Sequence, residues 1–169
     1  KLETFWASNC NLIGEIPESM IGLKSIVTFD VSENKLSGKI PSSLTELTSL
    51  VQVELFDNSL TGELPELGWE KLTKFRNFDA SINNITGRLP EGLTKLQLAS
   101  FNLYENAIDG TIPSSVANST NLYELKLFSN RFTGELPCNL GVNSPLKLID
   151  VSNNQLSGKI PSNICANGE

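Results

Sequence analysis

The sequence predicts an α/β repeat solenoid, a coil in which one short strand per turn stacks on the strand of the turn before. Three observations carry that prediction. Aligned on one position, the chain reads Cys10, Asn34, Asn58, Asn83, Asn106, Asn130 and Asn154, at intervals of 24, 24, 25, 23, 24 and 24 residues; self-similarity at such a period marks stacked supersecondary units. Four positions later there is a glycine in all seven copies, from Gly14 to Gly158, and seven positions later a proline, from Pro17 to Pro161, which uses seven of the eight prolines. Ahead of the aligned position, apolar and polar residues alternate as in a strand that buries one face. Val51–Pro65 is the clearest copy, with Val53 and Leu55 pointing one way and Glu54 and Phe56 the other. The seven units make residues 1–169 a single repeat region.

Each element of the unit has a physical reason. The apolar trio, Leu50, Val53 and Leu55 in the third copy, points into the coil. The asparagine side chain carries donors and acceptors, so it is expected to bond backbone groups of its own and the next turn as a buried ladder. Cys10 interrupts that ladder in the first copy and reads as a small buried thiol. Glycine permits the bend after the strand, and proline fixes φ where no ladder donor is needed. The arc that follows, such as Ser42–Leu50, places Leu44 and Leu47 at the spacing of a short helical turn on the outer side.

Composition excludes several classes of function. The chain has no histidine, which removes the commonest general base, the commonest metal ligand and every Ser–His or Cys–His nucleophile pair. A net charge of −6 argues against nucleic acid, whose phosphates require clustered Lys and Arg. No apolar run is long enough to span a bilayer, and no basic-then-apolar leader is read ahead of the repeats. Three cysteines form no C-x-x-C pair, so neither cofactor nor metal is expected. Cys138 and Cys165 lie 27 residues apart, one repeat plus three, which leaves a bridge between them open. Asn84 and Asn118 each begin an N-x-S/T triplet, and Asn118, in an outer arc, is the better expected glycan acceptor.

The pattern L-x-x-L-x-L-x-x-N-x-L-x-G-x-I-P, with I-P replaced by L-P in some copies, resembles the plant subclass of leucine-rich repeats. That subclass is found in plant receptor kinases, receptor-like proteins and polygalacturonase-inhibiting proteins. The resemblance covers the whole chain. It implies a right-handed superhelix with a parallel concave sheet, a second short strand at the Leu-x-Gly-x-Ile-Pro element, and short 3-10 or helical convex arcs. No paired-cysteine cap precedes Leu2, and solenoids need polar end units. An internal segment of a longer ectodomain is therefore the expectation.

In a stacked coil, equivalent residues form columns about 4.8 Å apart. Four before the asparagine the column reads Trp6, Asp30, Glu54, Asp79, Asn102, Lys126 and Asp150; two before, it reads Ser8, Ser32, Phe56, Ser81, Tyr104, Phe128 and Ser152. Adjacent like charges oppose stability, and a row of exposed aromatics is the mark of a contact surface. Paired carboxylates also suit glycoside chemistry. An open sheet face, however, is expected to offer no desolvated pocket that raises one pKa, and water reaching the acids is expected to keep them inexpensive. A non-enzymatic binding surface follows.

At these columns the strings V-E-L-F-D-N-S-L-T-G-E-L-P, R-N-F-D-A-S-I-N-N-I-T-G and E-L-K-L-F-S-N-R-F-T-G resemble the ectodomains of the HAESA and HAESA-like receptor kinases. That family binds secreted peptides related to Inflorescence Deficient in Abscission, extended along the concave face. The resemblance implies that Glu54 accepts the hydroxyl of a peptide hydroxyproline, while the backbone at Phe78 and the side chain of Ser100 complete its pocket. Phe56, Asp79, Ser81, Asn102, Tyr104, Lys126 and Phe128 would line the path. It further implies an apoplastic location on a single-pass membrane protein with a cytoplasmic Ser/Thr kinase domain. The Arg-x-Arg pair for the peptide carboxylate and the contact with a somatic-embryogenesis-type co-receptor kinase would fall beyond Glu169. No direct membrane contact is expected of the repeats themselves. The alternative reading is a polygalacturonase-inhibitor-like or pathogen-sensing protein whose concave face grips a folded protein. A line of aromatics among Asp and Asn favours the thin extended peptide.

Overall fold

A computed structural model describes residues 1–164. The concave side is a seven-stranded parallel sheet, one strand per turn: β1 (Thr4–Trp6), β3 (Thr28–Asp30), β5 (Gln52–Glu54), β7 (Asn77–Asp79), β9 (Ser100–Asn102), β11 (Glu124–Lys126) and β13 (Leu148–Asp150). Between them run the lateral strands β2 (Ile13–Glu15), β4 (Lys35–Ser37), β6 (Thr61–Glu63), β8 (Asn84–Gly87), β10 (Ala107–Thr111), β12 (Arg131–Gly134) and β14 (Gln155–Leu156), in the segment where the repeat signature predicts a second strand. These fall into a two-stranded and a five-stranded sheet. Backbone bonds from Ser59 N to Leu36 O (2.8 Å) and Thr61 N to Gly38 O (2.7 Å) carry the ladder across the interruption. The convex arcs close with 3-10 turns, such as Ser42–Glu46, and one four-residue helix, α1 (Glu91–Thr94).

The inward residues form one continuous core. Val53, Leu55, Leu60, Leu44 and Leu47 are all fully buried, as the alternation and the convex spacing require. Under the middle of the concave sheet the core is aromatic: Trp69 lies 5.9 Å from Phe78 and 6.3 Å from Phe75, and Phe78 stacks on Phe101 at 6.3 Å. Each central strand therefore rests on rings wedged between strand and arc. Among the described residues no helix is long and apolar enough to cross a membrane.

The asparagine ladder forms, with its direction reversed from the expectation. Asn83 Nδ2 donates to Ala80 O (3.2 Å) and Ser81 O (3.0 Å) of its own turn and to Leu55 O (3.0 Å) of the preceding one, while Leu60 N of the preceding turn donates to Asn83 Oδ1 at 2.9 Å. The same bonds recur at Asn34, Asn58, Asn106, Asn130 and Asn154. Cys10 corrects a second expectation, because in this first turn it is exposed. Its thiol still donates to Ser8 O at 3.2 Å, the bond Asn34 makes to Ser32 O at 2.8 Å. The residue before each ladder position adopts the left-handed conformation, with φ of 52–54° from Asn9 through Asn153.

Candidate functional site: the concave face

The sheet register places the column Trp6, Asp30, Glu54, Asp79, Asn102, Lys126, Asp150 directly strand to strand. The acids are not equivalent. Asp30, Asp79 and Asp150 each accept both the N–H and the hydroxyl of the serine two residues on, Ser32, Ser81 and Ser152. Glu54 has no such serine, because Phe56 stands there. Its donor among the described residues is Gln52 Nε2, at 2.9 Å from Oε1.

Burial therefore acts on Glu54 with little to oppose it. Loss of solvent pushes its carboxyl up to about 7, the Gln52 bond works the other way, and the neighbouring charges of Asp79, Asp30 and Glu124 add to the rise. This corrects the expectation that an open sheet face cannot raise a pKa: burial desolvates the strand-centre position on the sheet face itself. Asp79 is also raised, chiefly by burial, against hydrogen bonds from Ser81 and Asn102. Folded Glu54 thus holds its proton to higher pH than the unfolded chain. The penalty is absent below about pH 4.5, grows as pH climbs, and is complete above about 7. Replacing Glu54 by Gln should leave stability unchanged at pH 4 and raise it at pH 8 by about 1–2 kcal/mol, a figure already discounted for partial exposure. Thermal melts of both proteins across that range check it; equal gains at both pH values would refute it.

Across the next three strands, β7, β9 and β11, runs a polar network. Ser100 Oγ donates to Glu124 Oε2 at 2.7 Å, Asn102 Nδ2 lies 3.2 Å from that oxygen and 3.3 Å from Asp79 Oδ2, and Lys126 Nζ pairs with Glu124 Oε1 at 2.6 Å. Burial would raise Glu124, yet the hydrogen bonds from Lys126, Ser100 and Asn102 outweigh it and hold the carboxyl below its usual range. Glu124 and Gln52 belong to a further outward column, six before the asparagine, that also holds Ser100. Period-two alternation carried one step further back along each strand would have found both.

The ten residues assigned to a ligand path divide into two layers. Glu54, Phe56, Asp79, Tyr104, Lys126 and Phe128 reach the surface. Phe78, Ser100 and Asn102 are nearly covered, and Ser81 is 0 % exposed with its hydroxyl given to Asp79. The Phe78 side chain is core, and its main chain is paired in register between Val53 and Phe101. Tyr104 and Phe128 stack at 4.4 Å and 11°, making a flat apolar platform. Phe56 stands two strands away, across the strand of Ser81.

The repeat signature, the paired sheets and the side chains of the concave columns now stand together. A leucine-rich repeat family model matches residues 1–23, 25–47, 121–143 and 145–167, more than half of the chain. The chain belongs to the leucine-rich repeat family. Its fold and sequence are similar to a crystal structure of the Arabidopsis receptor kinase HAESA in complex with the peptide hormone IDA and the co-receptor SERK1, at 48% identity and a TM-score of 0.94 over 99% of this chain. It is also similar to the TDR receptor, at 36% identity and a TM-score of 0.95 over 98% of this chain, and to PEPR1 with AtPEP1, at 37% and 0.89 over 93%. The chain spans 28%, 29% and 22% of those three proteins. No curated protein matches it.

Both sequon asparagines are exposed, Asn84 at the start of β8 and Asn118 at the end of the convex turn Ser114–Asn118. The bridge between Cys138 and Cys165 that the spacing leaves open involves a residue outside those described, and Cys138 itself is exposed.

Proposed function

We propose that this chain is the ligand-binding part of a plant receptor kinase ectodomain, and that its concave face recognises an extended secreted peptide of the abscission-signal type. Glu54 is the hydroxyproline-reading residue, with Ser100 and the Phe78 backbone beside it. The observation that carries this reading is Glu54 itself, a half-buried carboxylate with one neutral internal donor, set between Asp30 and Asp79 and two residues before Phe56, on a face similar to that of a peptide-bound receptor. An extended peptide has unpaired backbone groups that Asp, Asn and Lys side chains satisfy, while Phe56 and the Tyr104–Phe128 platform bury its apolar side chains. Ser81 positions Asp79 and touches no ligand.

The parent in this reading is a single-pass plasma-membrane protein with a cytoplasmic kinase domain, glycosylated at Asn118 and Asn84 on the apoplastic side, and its co-receptor contact lies in other repeats. Calorimetry against a panel of synthetic secreted-type peptides, with and without hydroxyproline, tests the reading. It requires at least one hydroxyproline peptide to bind at micromolar concentration or below; silence across the panel, with binding to a folded protein partner instead, would overturn it.

A further inference from the structure

One turn of the coil is longer than its neighbours and places the extra residue on the convex side. The interval from Asn58 to Asn83 is 25 residues, and the chain from Pro65 to the inward Phe75 is one residue longer than that from Pro41 to the inward Leu50. Two places after the repeat proline stand Ser19, Ser43, Leu67, Gly92, Ser115, Asn139 and Asn163. Every other turn puts a small or polar residue where this one puts leucine. Leu67 is 80% exposed. A single exposed leucine is ordinary on a surface, but this one is fixed in place. Trp69 is completely buried, and its indole N–H donates to Pro65 O, which ties the bulge down from beneath. Gly68 takes φ 97°, where a side chain is strained, and a Cβ there would collide with the Thr45 hydroxyl of the preceding arc. Arcs flank the bulge on both sides, Ser42–Glu46 before it and α1 after it, so the exposure of Leu67 is not that of an end turn.

Leu67 shares a groove with a second exposed aliphatic side chain. Ile21, in the 3-10 turn Glu18–Gly22 two arcs earlier, is 41% exposed and lines the same groove, of about 590 Å³. Between the two, the arc Ser42–Glu46 brings only the short side chains of Ser42, Ser43 and Thr45 and the carboxylate of Glu46 to the groove. The charged lining is acidic: Glu18, Glu46 and Glu70 stand against Lys71 alone, and Lys71 is already paired with Glu46. Glu18 stays ionised, because Ser43 N at 2.9 Å and Ser42 N at 3.1 Å donate to its carboxylate and hold it below its usual range. Glu66, exposed beside Leu67, adds a further acid. Two aliphatic side chains thus stand over a groove whose unpaired charges are all negative.

We propose that this convex groove is a docking surface for a second protein, and that it takes an extended basic segment whose apolar side chain sits between Ile21 and Leu67 while a flanking lysine or arginine meets Glu18 and Glu70. Opposite charge on the partner supplies specificity. The bulge is held in shape before binding, so little ordering is left to oppose association. The inference goes beyond the peptide reading, because it uses the convex arcs and none of the concave columns; either can fail without the other.

The test is a nitrogen–proton NMR titration of the chain with the end-blocked peptide Lys-Ala-Leu-Ala-Lys, which puts leucine and both lysines on one face when extended. Amide shifts should concentrate in Glu18–Gly22, Ser42–Glu46 and residues 66–71. Leu67→Ser should melt within about 1–2 °C of the wild type, because it gives up almost no buried surface. It should nonetheless bind the peptide roughly tenfold more weakly, the loss of one aliphatic contact. Glu70→Gln should weaken binding about two- to fivefold. Replacing leucine by serine in the peptide, or both lysines by glutamate, should cost the wild type its binding in the groove. Shifts confined to the concave strands, unchanged affinity in Leu67→Ser, or a serine peptide that binds as well as the leucine one would each overturn the proposal. A wild-type dimer that Leu67→Ser abolishes, seen by sedimentation without peptide, would assign the groove to a second copy of the chain and overturn it as well.

Discussion

Exchanging Asn83 for aspartate should damage the protein more than cutting the side chain back to alanine. In Asn83→Ala, Leu60 N loses its acceptor in a buried setting, and the carbonyls of Leu55, Ala80 and Ser81 lose a shared donor. Asn58 and Asn106 still reach the first two carbonyls, and Asp57 N still donates to Ser81 O. The main cost is therefore one orphaned N–H and a small void, about 2–3 kcal/mol. Asn83→Asp keeps the acceptor for Leu60 but turns the donor edge into a carboxylate facing three carbonyl oxygens. A buried charge without a partner costs about 3–5 kcal/mol. Chemical denaturation at pH 7 should rank wild type above Ala above Asp. Lowering the pH should narrow the gap between the two variants, because a protonated aspartate regains a donor. An aspartate variant as stable as the wild type would mean that the ladder does not hold the turns together.

The second large effect lies beneath the site. Trp69 is completely buried, its ring tilts against Phe75 and Phe78, and its indole N–H donates to Pro65 O. Trp69→Ala should cost about 3–5 kcal/mol, from lost burial plus the cavity left behind. Trp69→Phe keeps most of the volume and gives up the one hydrogen bond, so it should cost only about 1–2 kcal/mol. In a solenoid each turn contacts only its neighbours, so the damage should appear locally. Hydrogen exchange should quicken in β5, β7 and β9 of the alanine variant while β1 and β13 keep wild-type protection. Uniform loss along the chain would contradict that picture.

Much of this architecture is written in the sequence. A period near 24 with fixed asparagine, glycine and proline leaves one way to stack the turns, so the strand columns and the inward trio follow from counting. Leu44 and Leu47 on the convex side follow in the same way. What the chain could not show was depth. Ser81 and Phe56 occupy equivalent columns, yet one is sunk and the other stands proud, because side-chain size and the serine–aspartate bond decide it. The same holds for Glu54. Its shifted carboxyl comes first from burial, then from acids on three other strands, and from the absence of a serine at Phe56, a difference that becomes meaningful only once the register is fixed. Glu124 lies one alternation step further from the asparagine than Glu54 and Phe56, so its place in the network shows only when the strands are set in register. The direction of the ladder was not legible either, since an asparagine can reach the turn before or the turn after with equal chemistry.

The central claim is that Glu54 reads a hydroxyl on an extended peptide. The most direct measurement is a pair of titrations at pH 8, where Glu54 is ionised, using one peptide in hydroxyproline and plain proline forms on the wild type and on Glu54→Ala. A hydroxyl donating to a carboxylate makes a charge-assisted bond worth about 1.5–3 kcal/mol. The wild type should therefore prefer the hydroxylated form by roughly tenfold or more, and the variant should bind both forms alike. Equal losses for the two peptides, with the preference intact in the variant, would contradict the assignment.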